Sequence, residues 1–155
     1  MTNLVDTLND IERRLAVIER TQISAASSEW KVDRVEDYEG RTSSSYGDLA
    51  TVGPEVTVDV GPRGLLVVGL GTVFFEVLLY GGYMSFELSG ANTLAASDER
   101  AIFGLFASGQ TYPSGAIALS GLNPGETTVT AKYRSSNYPT STGYFMVRQI
   151  SALVL

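Results

Sequence analysis

Near the start of the chain, apolar residues recur at Leu4, Leu8, Ile11, Leu15 and Ile18, in steps of four, three, four and three, and the series continues to Gln22 and Ala25. A stripe with this spacing runs down one side of an α-helix and forms the seam of a coiled coil. With Leu4 at heptad position d, Leu8, Leu15 and Gln22 fall at a, and Ile11, Ile18 and Ala25 fall at d. Leucine at a with isoleucine at d disfavours a parallel dimer, because a β-branched side chain packs poorly in the d layer of two strands, and moves the preference to three or four chains. The stripe therefore predicts an oligomer, with a homotrimer as first choice. Arg14 at g and Glu19 at the following e would meet across parallel neighbours, and Gln22 would add a polar layer that sets register. The same stripe also allows an amphipathic helix packed on its own domain. Three heptads reach only on the order of 30 Å, so a stem this short needs the rest of the chain to hold an assembly together.

From Tyr46 onward the period changes from 3.5 to two, which is the signature of strands. Val56, Val58 and Val60 share one face; so do Met84, Phe86 and Leu88, and so do Val129, Ala131 and Tyr133, the last set opposite Thr128, Thr130, Lys132 and Arg134. Ala101 to Phe106 and Ala116 to Leu119 are shorter apolar runs, and Tyr144 to Leu155 closes the chain as a long strand. Turn residues separate these runs at Gly53-Pro54, Gly61-Pro62, Gly81-Gly82, Tyr112-Pro113-Ser114-Gly115, Asn123-Pro124-Gly125 and Tyr138-Pro139. About eight strands at this spacing predict a mainly β fold: an antiparallel, jelly-roll-like β-sandwich behind the helical stem. The stretch Leu65 to Tyr80 reads as two buried strands or one long strand with a glycine bend. At about 16 residues with Glu76 inside, it falls short of the roughly 20 apolar residues of a membrane span, so no membrane insertion is expected. Leu65 to Tyr80 and Phe145 to Leu155 are apolar at both parities. One face can fill the sandwich core, and the other calls for a cover supplied by a neighbouring subunit.

The chain thus divides into a coiled-coil stem over 1–28, an acidic connector over 29–45 and a sandwich head over 46–155. The connector holds Trp30, expected to tuck against stem or head because a lone tryptophan is usually packed. Of the 17 acidic and 11 basic residues, nine and five lie in residues 1–40, and the net charge is −6. No basic patch marks a nucleic-acid surface, so no nucleic acid is expected as partner. The opening residues do not resemble a secretory signal.

Chemistry has little to work with. The sequence contains neither histidine nor cysteine, which removes the Ser-His-Asp triad, the Cys-His dyad and the usual zinc ligand sets. A Ser-Lys mechanism would need Lys31 or Lys132, and both read as solvated. The best carboxylate cluster, Asp98-Glu99-Arg100, reads as a charged turn. Gly69-Leu70-Gly71 lacks the third glycine of a dinucleotide fingerprint, since Phe74 stands there. No catalytic residue, cofactor or metal ligand is therefore expected, and the protein is read as not an enzyme. The remaining candidates are two surface loops, Gln110 to Ser114 and Ser135 to Thr142, whose Tyr112 and Tyr138 stand among Ser, Thr and Asn. That composition can stack on a sugar and bond its hydroxyls. The plainer reading is two turns, each with a half-buried tyrosine.

The stem LNDIERRLAVIERTQ, the block MSFELSGANTLAASDERAI, the segment LNPGETTVTAKYR and the closing RQISALVL resemble small virion proteins of tailed phages that infect actinobacteria, often labelled minor tail proteins. These join a short N-terminal coiled coil to a C-terminal sandwich similar to the trimeric tumour-necrosis-factor and C1q heads. The resemblance implies a structural virion protein with a trimeric head. The first expectation is a homotrimer associated with the tail, in contact with other virion proteins and, through its surface loops, with host cell-surface glycan. Attachment to the capsid, as a decoration or head fibre, is the alternative. The family has no catalytic residues to carry over.

Overall fold

The computed structural model of the protein describes residues 7–17, 29–76, 81–104, 109–136 and 142–155. Residues 7–17 form a helix, α1. Ten strands follow: β1 (Trp30–Val35), β2 (Glu39–Arg41), β3 (Glu55–Val60), β4 (Leu66–Glu76), β5 (Gly82–Gly90), β6 (Ile102–Gly104), β7 (Gly109–Thr111), β8 (Ser114–Leu119), β9 (Gly125–Ser135) and β10 (Gly143–Val154), with a 3₁₀ turn at Asp98–Arg100. They build two antiparallel sheets. One runs β1-β10-β4-β7, with β2 also on β10 and β8 also on β4; the other runs β3-β9-β5-β6. Successive strands from β3 onward cross repeatedly between the sheets, which is the winding of a jelly roll.

The alternation read from the sequence decides which side of each strand is buried. Val56, Val58 and Val60 of β3, Met84, Phe86 and Leu88 of β5, and Val129, Ala131 and Tyr133 of β9 all point into the core. They meet Leu66, Val68, Leu70 and Phe74 of β4 and Phe145, Ile150, Ala152 and Val154 of β10. The Phe145 ring is the hinge of an aromatic cluster, with Phe74 and Tyr133 each 4.8 Å away between centroids.

Leu65 to Tyr80 resolves as one strand, β4, as far as Glu76; residues 77–80 lie outside the described residues. Its two faces differ in size. Leu66, Val68 and Leu70 fill the core, whereas the outward set is Val67, Gly69 and Gly71. In β10 the apolar residues at both parities have a second cause. Met146 pairs with Val73 and Gln149 with Gly71, so two residues, Val147 and Arg148, oppose one. This is a β-bulge. Val147 takes φ 53°, unusual for a β-branched side chain. The bulge resets the phase, so that Phe145 and Ile150, five residues apart, both face inward.

The segment read as a connector is part of the sandwich. β1 pairs with β10 from Trp30↔Leu153 to Val35↔Arg148, and β2 pairs with β10 at Gly143–Phe145. Trp30 does not tuck in; 71% of its surface is exposed. Lys31 and Asp33 of β1, with Glu29 just before it, instead strap the free edge of β3. Asp33 Oδ2 accepts from Glu55 N (2.9 Å), Lys31 Nζ donates to Thr57 O (2.6 Å), and Glu29 Oε2 accepts from Asp59 N (3.1 Å). Lys31, expected to be solvated, also pairs with Glu29 at 2.9 Å. The polar residues of this segment thus satisfy the backbone groups that an edge strand leaves unpaired.

Candidate interaction surface

The stem residues come first. In α1, Leu8, Ile11 and Leu15 are 51%, 47% and 51% exposed, so these three side chains are not packed on the sandwich. The described helix has eleven residues, fewer than three heptads, and one chain cannot itself form a coiled coil; Leu4, Ile18 and Gln22 lie outside the described residues. No described helix is long and apolar enough to cross a membrane.

The registers of β1, β10, β4 and β8 assemble the outward side chains of the six-stranded sheet into rows. Trp30, Leu153, Val67 and Ala118 form one, Val32, Ser151, Gly69 and Ala116 the next, and Arg34, Gln149, Gly71 and Ser114 a third. Among these twelve residues only Arg34 is charged, and it pairs with Glu36 at 3.1 Å. The middle of the face is small: a Cβ on Gly69 would come within 2.5 Å of Ser151 Oγ, whereas a Cβ on Gly71 would meet nothing within 4 Å. A depression of about 400 Å³ opens here, and Gly71, Thr72, Tyr112, Pro113, Val147 and Gln149 are among the residues that line it. At the far end Tyr38 stacks on Tyr144, with centroids 5.1 Å apart. Such a face, apolar with only serines, a glutamine and one paired arginine, suits a partner surface better than water.

The outer face of the four-stranded sheet is different, because the chain covers it with its own loops. Lys132 and Arg134, expected on a solvated strand face, are the clamps. Lys132 Nζ lies 2.6 Å from Asp48 Oδ1 and 2.9 Å from Glu87 Oε1, with 11% of its side chain exposed. Burial works against its ammonium, but the hydrogen bonds to Asp48 and Glu87 outweigh it and hold its pKa above the ordinary lysine value. A permanently charged amine held by two carboxylates is a structural tie rather than a general base. The Arg134 guanidinium grips Asp98 through Nε (2.8 Å) and Nη2 (2.6 Å) and lies 3.7 Å from the Tyr83 ring centroid. Tyr46 also donates to Asp98 at 2.9 Å. Hydrogen bonding from Arg134, helped by Tyr46, holds the Asp98 carboxyl below the usual range, and burial with the Asp98 charge pushes the Tyr46 hydroxyl up. Asp98 of the expected charged turn is therefore a strut for the loop over 91–101. Ser85 Oγ binds the same loop through Ser97 O and Arg100 O, both at 3.0 Å.

Sequence reasoning missed one buried cation. Arg148 has none of its side chain exposed. Its Nη1 reaches Glu39 Oε2 at 3.1 Å and Thr51 O at 3.4 Å, while Nε and Nη2 have no partner. Glu39 in turn accepts from Thr51 N (2.9 Å) and Thr51 Oγ1 (2.7 Å). An arginine in an otherwise apolar strand was the available signal, but only the bulge tells which way it points.

Of the two loop tyrosines, Tyr112 is 69% exposed rather than half-buried, and its hydroxyl donates to Gln110 Oε1 at 2.7 Å. It flanks the depression on the bare sheet face. Tyr138 lies outside the described residues.

No family model matches the chain. No curated protein matches it either. Among solved structures it is similar to an Eiger tumour-necrosis factor from S. frugiperda, at TM-score 0.47 and 11% identity over 81% of this chain and 92% of that one. It is also similar to murine APRIL, at TM-score 0.43 and 11% identity over 82% and 100%. A third similar structure is the enzymatically active domain of tailspike protein 4 of bacteriophage CBA120, at TM-score 0.31 and 12% identity, where the match takes in 77% of this chain but only 19% of that one. Identities this low, at TM-scores below 0.5, transfer no activity, ligand or assembly to this chain.

Proposed function

We propose that the protein is a non-enzymatic structural component of a phage virion. In this proposal it is a homotrimer associated with the tail, as a minor tail or fibre protein, which joins other virion proteins through its stem and presents three sandwiches outward toward host cell-surface glycan. The observation that carries the oligomer is an asymmetry between the two sheets. One outer face is roofed by the chain's own loops through Lys132 and Arg134; the other is bare, nearly uncharged and small in the middle. The exposed stripe of Leu8, Ile11 and Leu15 calls for the same kind of partner, and its a/d chemistry favours three or four chains over two, of which three is the proposal. The phage setting rests on the resemblance in the stem, the β5 block and the closing strand. Light scattering after size exclusion is expected to give three times the chain mass of 16.6 kDa, and a monomer at micromolar concentration would refute the assembly. Immunogold labelling of intact particles is expected at the tail. Label on the shell instead would replace the tail role by capsid decoration, and no label on any particle would remove the virion role.

A further inference from the structure

The bare sheet face is not flat. It carries one large protrusion and one depression, and they lie at opposite corners. Trp30, the single tryptophan of the chain, begins the first row at the β1 edge and is the most exposed large apolar side chain among the described residues. The depression lies at the third row beside β8, where Gly71 pairs with Ser114 and neither adds bulk to the face.

The two cannot meet within one chain. The first and third rows are four residues apart along the strands, about 13 Å, and β1 and β4 are two strand spacings apart, about 10 Å, which sets Trp30 about 16 Å from Gly71. That is beyond the reach of an indole from its own Cα, and Trp30 does not line the depression. The lining nevertheless suits an indole. Tyr112, Pro113 and Val147 offer ring and aliphatic surface, while Ser114, Gln149 and Ser151 offer oxygens to the indole N–H, the polar edge that a buried tryptophan must satisfy. None of the lining residues is charged. Above Gly71 the space is open, since a Cβ there would meet nothing within 4 Å.

We infer that Trp30 of one copy fills the depression over Gly71 of the next. The inference rests on the trimer proposed above and assigns its central contact. A protrusion and a depression at different places on one face make a head-to-tail contact: each copy gives its tryptophan to one neighbour and receives that of the other, and such a contact can close into a ring. The other large apolar residues of the three rows, Val32, Val67 and Leu153, are smaller than an indole, and Arg34 is held by Glu36. Faces laid together without this insertion would be propped apart by the indoles and leave the depressions as voids, and both lose packing. A large aromatic ring seated in a partner's pocket is also where interfaces concentrate their binding energy.

A single tryptophan reports on this contact directly. In the full chain at assembling concentration, its emission is expected at shorter wavelength than that of N-acetyltryptophanamide and with much weaker quenching by acrylamide. Trp30→Ala is expected to keep the circular dichroism spectrum and to raise the concentration at which the assembly half-dissociates by about tenfold or more, the loss of a buried aromatic anchor. Gly71→Leu, which occupies the depression, is expected to weaken assembly as well. The double variant should be no weaker than Trp30→Ala alone, because a leucine in a vacated depression displaces nothing. Costs of the two substitutions that simply add would seat the indole elsewhere and overturn the inference. A particle of three times the chain mass with a solvent-exposed, freely quenched indole would overturn it while the trimer stands, whereas a monomer would refute the trimer and this contact together.

Discussion

Removing one member of the buried Arg148–Glu39 pair should cost far more than removing the other. The Arg148 side chain is wholly buried with two guanidinium nitrogens unpaired, whereas Glu39 keeps 15% of its side chain exposed and serves Thr51 as well. Glu39→Ala strands a desolvated cation beside Tyr133 and leaves the Thr51 amide and hydroxyl without their acceptor. Loss of one partner of a buried pair costs about 3–5 kcal/mol. Arg148→Met keeps most of the volume, removes the cation together with its unpaired nitrogens, and leaves both Thr51 bonds to Glu39 intact. Its cost should be about 1 kcal/mol or less. Urea unfolding followed by far-ultraviolet circular dichroism, at one fixed protein concentration because an oligomer's stability depends on it, reads the difference. With a slope of about 2 kcal/mol/M, the Glu39→Ala midpoint should fall by roughly 2 M and the Arg148→Met midpoint by about 0.5 M or less. Adding Arg148→Met to Glu39→Ala should recover part of the loss. Equal costs for the two single variants, or a double variant worse than Glu39→Ala, would refute the reasoning.

Three further expectations concern other parts of the molecule. The pKa of Asp98 is depressed in the fold, so its stabilisation is present above its unfolded value near 3.8 and disappears as pH falls through the folded value; Asp98→Asn should lower the melting temperature slightly at pH 7 and show a flatter decline below about pH 4. On the bare sheet face, Gly71→Arg should leave the circular dichroism spectrum unchanged, because nothing stands within 4 Å of the new Cβ, yet reduce the mass seen by light scattering. Replacing Leu8, Ile11 and Leu15 with serine should make the assembly dissociate at higher concentration without altering the sandwich, and an unchanged dissociation profile would remove the helix from the interface.

The strands with strict alternation were legible because a single buried face imposes period two, and β3, β5 and β9 fall where Val56, Met84 and Val129 place them. The winding of the sheets, by contrast, depends on contacts between residues far apart in sequence. β1 and β2 were hidden for a specific reason: Glu29, Lys31, Asp33 and Glu39 read as a solvated linker, yet each finds a backbone or charged partner on another element. Lys132 and Arg134 misled in the same way, since a charge opposite an apolar face looks solvated until a loop with Asp48 or Asp98 folds over it. In β10 the extra residue of the bulge inverted the faces midway, so its apolar residues at both parities overstated how apolar the outward face is. At the candidate interface, composition singled out the two strands apolar at both parities, but Gly69, Gly71 and Ser151 gain meaning only once the register sets them beside one another.

The strap from β1 to β3 also determines how the sandwich takes load. Any tension on the residues that precede Glu29 enters at a strand held on one flank by the β10 ladder and on the other by three side chains to β3. A pull that would peel a lone edge strand away one bond at a time is instead divided between both sheets from the first residue, so the head should yield as a block rather than unravel from its attached end.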